Sequence, residues 1–349
     1  MTHPSGLIAE ARQAGATDLH LVPGQPPAIR VGGLLRRLSQ NPVSELDVEA
    51  VLEDLCRESG ERQLLDAVSG TSGAVELSAE SALAGRVRVS AYKATGKLCL
   101  AVRLCPGVPP SPQETGCPDA LLAACAARSG LVVVSGPTGA GKTTTVASLV
   151  QHVARTRSVH ILTVEDPVEY VISPGPALVT QRQVGTDVRS FGDGLREALR
   201  QDADVMVIGE CRDPDTAASA ALAAQTGHLV ITTVHAQGTA DALSRVLGLL
   251  DRASVSGSRH LLADVLLCLS FQVLLRRRRP KPGPPELSAM AAAYEVLVVS
   301  GVQAAQSVLR EGRFQDLAGI MREHRSAGMV TLADSVSALV SSGEAEQGY

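Results

Sequence analysis

Apolar and polar positions change rhythm about a third of the way along the chain. Up to about residue 104 they form short strand-like runs at 19–22, 28–31, 74–77, 87–92 and 98–103, with helical spacing over 44–57. This pattern predicts an α/β domain of about 100 residues, spanning 1–104. Residues 105–118 keep neither period and contain five prolines, so they read as a linker. Beyond, over 119–349, continuous apolar runs at 131–135, 159–164, 205–209 and 229–234 alternate with helical segments starting near 141, at 213 and after 234. Continuous β-branched runs between helices predict a mainly parallel sheet covered on both faces. Asp213 followed by Pro214 marks a helix start, an N-cap before a proline at the first helical position.

Two stretches invite other readings. Residues 261–275 form the longest apolar run, but it is about 15 residues long and carries Asp264 and Gln272, short of a membrane span. It reads as a buried amphipathic helix. The run RRRRPKPGPP at 276–285 reads as a solvated surface loop.

Composition narrows the class. A chain of 349 residues with 45% hydrophobic content is long enough for two cores. A net charge of -4 and only four Tyr, three Phe and no Trp leave little to attract a phosphate backbone or stack on bases, so nucleic acid is not an expected partner. The first residues lack the basic and apolar regions of a signal peptide, which places the chain in the cytoplasm. Seven cysteines, with no C-x-x-C pair, read as small buried apolar residues rather than a zinc or disulfide framework.

Residues 136–143 read GPTGAGKT, a complete G-x-x-x-x-G-K-[ST] pattern, with a predicted strand before it and a helix after it. Such a loop binds the phosphates of ATP. Gly136, Gly139 and Gly141 let backbone N–H groups wrap the phosphates, and Pro137, Thr138, Ala140 and Thr144 complete the cradle. Lys142 supplies a cation for the β and γ phosphates, and the hydroxyl of Thr143 can ligate Mg2+. Hydrolysis needs carboxylates as well. The strand at 205–209 ends in Glu210, and that at 159–164 ends in Glu165 and Asp166, so two parallel strands deliver acids to one sheet edge. One can hold the metal while the other orients water. His228 and His235 flank the strand at 229–234.

The succession GPTGAGKT, ILTVEDPVEY, QRQVG, DADVMVIGECRD and TGHLVITTVHA resembles the Walker A, aspartate box, Walker B and histidine box of the type II/type IV secretion ATPase superfamily. ATDLHLVPGQPPAIRVGG at 16–33 and VLREGRFQDL at 308–317 bring it nearest to the pilus-retraction, or twitching-motility, ATPases. The resemblance implies a homo-hexameric, ATP-hydrolysing motor with a PAS-like N-terminal domain and a RecA-like ATPase domain. It would work in the cytoplasm, docked at the inner membrane on a pilus platform protein, with a paralogous ATPase subunit as a further partner. By position, Glu165 matches the catalytic glutamate, Glu210 the Walker B glutamate and metal ligand, His228 and His235 the histidine box, and Arg88 and Arg103 the arginine fingers. Two segments depart from the family pattern. AAQSVLREG at 304–312 has Ala305 and Gln306 where isoleucine and arginine are usual, and KATGK places Lys93 and Lys97 where an arginine is expected. An assembly or secretion ATPase, a low-turnover nucleotide-binding ring subunit and a DNA translocase stand as the alternatives.

Overall fold

The computed structural model describes residues 6–32, 34–59, 74–81, 85–105, 107–281 and 288–346. They divide into two compact units: residues up to 107 with Lys281, Ser288 and Ala289, and residues 108–280 with 290 onward. The boundary falls inside the proline-rich segment 105–118. Part of that segment is more regular than its composition suggests. Pro112–Thr115 makes one helical turn, capped by reciprocal bonds between Ser111 and Glu114 and ended by Gly116 at φ 67°.

Among the described residues, the first unit is a six-stranded antiparallel sheet with two helices. Its strands are β1 (Asp18–Leu21), β2 (Ala28–Val31), β3 (Leu34–Arg37), β4 (Val75–Ser81), β5 (Gly85–Ala94) and β6 (Lys97–Leu104), in the order β3-β2-β1-β6-β5-β4. Helices α1 (Gly6–Gln13) and α2 (Glu45–Ser59) supply Ile8, Val48, Val51, Leu52 and Leu55 to a core shared with Leu19, Val87, Val89 and Val102. The N-cap of α2 is Ser44, whose hydroxyl accepts from the Asp47 N–H while the Asp47 carboxylate accepts from the Ser44 N–H. The Ser44 N–H and hydroxyl, both donating to the Asp47 carboxylate, lower the Asp47 pKa. Helix α1 and strand β3 carry no clear period in the sequence, and both were missed by it. All four residues of β3 are exposed, so no alternation marks it.

The second unit is a seven-stranded sheet in the order β13-β12-β7-β11-β10-β8-β9. Its strands are β7 (Gly130–Gly136), β8 (His160–Glu165), β9 (Leu178–Gln183), β10 (Val205–Ile208), β11 (Leu229–His235), β12 (Leu266–Arg276) and β13 (Met290–Val298). All neighbours run parallel except β12 and β13. One face packs on the helix Lys142–Thr156, and the other on the helices Phe191–Ala198, Pro214–Gln225, Thr239–Arg252 and Ser258–Val265. Covering on both faces is why the central strands read as unbroken apolar runs. Pro214–Gln225 starts as expected, with the Asp213 carboxylate accepting from the Thr216 N–H at 2.8 Å.

Residues 261–275 are not one amphipathic helix. The helix Ser258–Val265 ends there, and residues 266–276 form β12, one strand in from the sheet edge, between β7 and β13. A strand buried on both faces shows no alternation, so its apolar run looks like buried helix by period alone. The arginine run is likewise only partly a solvated loop. Arg276 closes β12, and Arg277 is buried, its Nη1 donating to Glu344 at 2.7 Å and its Nε to the Met290 carbonyl at 2.9 Å. Residues 282–285 of that run lie outside the described residues.

All seven cysteines are buried. Burial pushes the thiols of Cys117, Cys125 and Cys211 up to about 12. At neutral pH they are thiols rather than thiolates, and so poor nucleophiles. Titration of the native protein with a thiol reagent at pH 7.5 is expected to report almost no reactive groups, and the unfolded chain seven; several fast-reacting thiols in the native state would contradict the packing.

Candidate active site

The phosphate loop joins β7 to the helix Lys142–Thr156, here α5 with the one-turn helix as α3 and Asp119–Cys125 as α4. Its shape depends on glycine at two points. Gly141, the cap of α5, has φ 81°, a left-handed conformation. Gly136 has φ 156°, and a Cβ there would lie 2.6 Å from the Gln272 carbonyl oxygen. The loop therefore starts hard against β12.

Lys142 folds back into this loop and is only 9% exposed. Its Nζ donates to the carbonyl oxygens of Gly136 at 3.0 Å and Pro137 at 2.9 Å, and lies 3.4 Å from His235 Nδ1. Burial lowers its pKa, and the Glu210 carboxylate opposes that shift. His235 Nε2 in turn sits 3.2 Å from Glu210 Oε1. A neutral imidazole with its proton on Nε2 satisfies both contacts, accepting from the lysine and donating to the carboxylate. The other Glu210 oxygen pairs with Arg212 at 2.6 Å. Lys142, His235 and Glu210 are thus one connected chain, contributed by α5, the end of β11 and the end of β10.

Glu165 ends β8, the strand beside β10, with Val164 opposite Ile208. Its Oε1 accepts from Thr163 Oγ1 at 2.6 Å and from Gln181 Nε2 at 3.0 Å. Gln181, on β9, also donates to the Tyr170 carbonyl at 2.9 Å, and the Tyr170 hydroxyl lies 3.0 Å from Thr144 Oγ1 in the first turn of α5. A hydrogen-bonded path therefore runs from the phosphate loop to Glu165. Thr143, next to Thr144, is exposed.

The remaining expected residues are not in this cluster. His228 precedes β11, at the opposite end of the strand from His235. Its main-chain carbonyl accepts from the Gly130 N–H that begins β7, and its Nδ1 lies 3.0 Å from the Ala223 carbonyl. Arg88 and Arg103 belong to the first unit, where they are cross-strand partners on β5 and β6. Arg88 donates to Glu76 through Nε and Nη2, and Arg103 Nε donates to Asp18 at 3.2 Å. Lys93 and Lys97 flank the exposed β5–β6 hairpin, whose turn places Thr95 at φ 50° and Gly96 at φ 80°. Reasoning from the sequence took Tyr170, Gln181 and Arg212 only as parts of ILTVEDPVEY, QRQVG and DADVMVIGECRD, and gave Gln272 no role. Gln272 left one signal, a polar residue inside an apolar run.

The signature of the type II/IV secretion system protein family matches residues 7–324. The type IV pilus retraction ATPase PilT of Pseudomonas aeruginosa is 32% identical over 337 residues, covering 97% of this chain and 94% of its own. A twitching motility protein of Neisseria gonorrhoeae is 31% identical over 322 residues, covering 91% and 81%. The solved structure of the pilus retraction motor PilT with bound ADP is 33% identical and superposes with a TM-score of 0.79 over 96% of each chain.

The geometry separates two kinds of loss. Lys142→Ala is expected to abolish measurable binding of a fluorescent ADP analogue. Glu165→Gln should keep that binding and lower ATP turnover about 10²- to 10⁴-fold, and Gln181→Leu, which releases Glu165 without touching it, should lower turnover by a smaller factor at unchanged affinity. Equal rates in Glu165→Gln and the parent protein would remove Glu165 from the chemistry.

Proposed function

This chain belongs to the type II/IV secretion system protein family, and we propose that within it the protein is the ATP-hydrolysing motor that powers retraction of a type IV pilus. The observation that supports this most is that the likeness to a retraction ATPase and to a twitching motility protein runs through both units, not the nucleotide-binding unit alone. We read the working form as a homo-hexamer, acting with a pilus platform protein and a paralogous ATPase subunit in the cytoplasm at the inner membrane. Among the described residues no helix is long and apolar enough to cross a membrane.

In this reading the ATP phosphates take the place that the Gly136 and Pro137 carbonyls now hold at Lys142. The ammonium exchanges neutral acceptors for charged ones, and charge-assisted bonds are roughly twice as strong. His235 couples that exchange to Glu210, since the imidazole touches both groups. Glu165 is the group that orients or deprotonates the attacking water, held in place by Thr163 and Gln181. The exposed Thr143 hydroxyl and the Glu210 carboxylate are hard oxygen donors of the kind magnesium takes, and they would hold it. When bound, that ion would supply positive charge to offset that of the nucleotide phosphates. His228, at the far end of its strand, serves the fold rather than this chemistry.

Arg88 and Arg103 act, if they are arginine fingers, on the site of a neighbouring subunit. Mixing inactive Lys142→Ala with inactive Arg103→Ala should then restore part of the turnover, because some interfaces join an intact lysine to an intact arginine. Arginine fingers are worth about 10³ to 10⁵ in rate in small GTPases, so even a minor share of restored sites is measurable. No recovery in mixed rings confirmed by mass would end the in-trans role of Arg103.

The segment 304–312 offers a test of output. Ala305 is fully buried on the helix Gln303–Glu311, so an isoleucine there overfills the core at a cost of about 1–3 kcal/mol. Gln306 is only partly buried, and Gln306→Arg alone is the clean change. Twitching of a host strain carrying it is expected to change while the ATPase rate of the purified protein stays within about twofold; unchanged twitching would show that this segment is not the output element.

A further inference from the structure

Gln272 lies on β12 with no solvent exposure, in a strand otherwise made almost wholly of apolar residues. It meets the phosphate loop at both ends. Its main-chain oxygen occupies the space a side chain at Gly136 would need. Its side-chain Nε2 donates to the Ala140 carbonyl at 2.6 Å. The opposite amide orientation would face two acceptors, so the donor assignment follows from chemistry.

The two contacts have different consequences. The first closes the entry to the loop and leaves it room only for glycine. The second fixes a peptide plane. In a trans peptide the carbonyl of Ala140 and the N–H of Gly141 point in opposite directions. Drawing that carbonyl onto β12 turns the Gly141 N–H away from the strand. We infer that Gln272 is a positioning residue for the nucleotide: it clamps the underside of the phosphate loop so that the Gly141 N–H is presented to phosphate before the ligand arrives. The inference rests on reading residues 136–143 as the phosphate site.

Packing alone does not account for this side chain. Among the described residues, Gln272 Oε1 is buried without a hydrogen-bond partner, as is the hydroxyl of Ser270 two positions earlier. A buried acceptor left unsatisfied destabilises a fold, and an apolar residue of the same shape would not carry that penalty. Methionine has nearly that shape. A residue chosen for stability would be apolar here, as Leu274 is at the next position on the same face.

The test is Gln272→Met, with Gln272→Leu as a second variant should methionine not pack, and Lys142→Ala as the reference. Three quantities are read: the thermal midpoint without nucleotide, the affinity for ADP measured well below that midpoint, and KM and kcat for ATP. The Gly141 contact is made equally to bound substrate and transition state, so its loss should raise KM with kcat held. The expected result is a midpoint equal to or above that of the parent, ADP binding weakened about tenfold, and KM raised by a similar factor with kcat within about twofold. ADP binding and KM equal to those of the parent protein would overturn the inference. So would a lower midpoint accompanied only by a kcat reduced in proportion to the folded fraction, which is the mark of a core filler. If Lys142→Ala itself binds ADP normally, it is the phosphate-site reading that fails.

Discussion

A nearly buried ammonium must be surrounded by acceptors, and much of the ATPase unit is arranged to meet that demand for Lys142. A lone charge taken out of water costs several kcal/mol, and without nucleotide it is the Gly136 and Pro137 carbonyls and His235 that keep Lys142 stable in its pocket. Those groups arrive from the end of β7 and the end of β11, which must therefore be paired in register up to their last residues, and they are: Gly136 stands opposite His235. The backbone bends that aim the two carbonyls inward need glycine where the loop begins against β12. Sheet order, strand register and loop composition thus answer to one charge.

The sequence makes this constraint legible because phosphate binding tolerates few solutions. GPTGAGKT, the two strand-end acids and the parallel character of the sheet can all be read from residue type and spacing, and Lys142, His235 and Glu210 converge in the structure. His228 and His235 flank one strand, whose seven residues at about 3.3 Å each hold its two ends roughly 20 Å apart, so that His235 alone of the two meets Lys142. The failures have physical causes. β12 was hidden by its own burial, since a strand covered on both faces has no polar side to alternate with. Tyr170 and Gln181 act through bonds between segments that only the fold brings together, and nothing in their local spacing announces this.

The two glutamates illustrate how environment divides labour between like groups. Glu210 contacts a cationic partner, Arg212, and a histidine that leads to the lysine. Glu165 is held by a hydroxyl and an amide, both neutral donors. Charge on the first is therefore tied to the charge of the phosphate loop, while a hydroxyl and an amide on one oxygen orient the second. Two acids on adjacent strand ends come to differ through their neighbours alone.

The arginines of the first unit carry a consequence of another kind. Arg88 and Arg103 stand side by side on one sheet face, each already engaged with a carboxylate, Glu76 or Asp18. Exposed pairs of this sort are worth about 0–1 kcal/mol each. Any other anion that recruits these side chains swaps one carboxylate for a competitor and gains only the difference. An attachment made by such a swap is shallow in energy and quick to reverse. That suits a contact remade on every stroke of a cycle, as a ratchet pawl is, better than one that must bear a standing load.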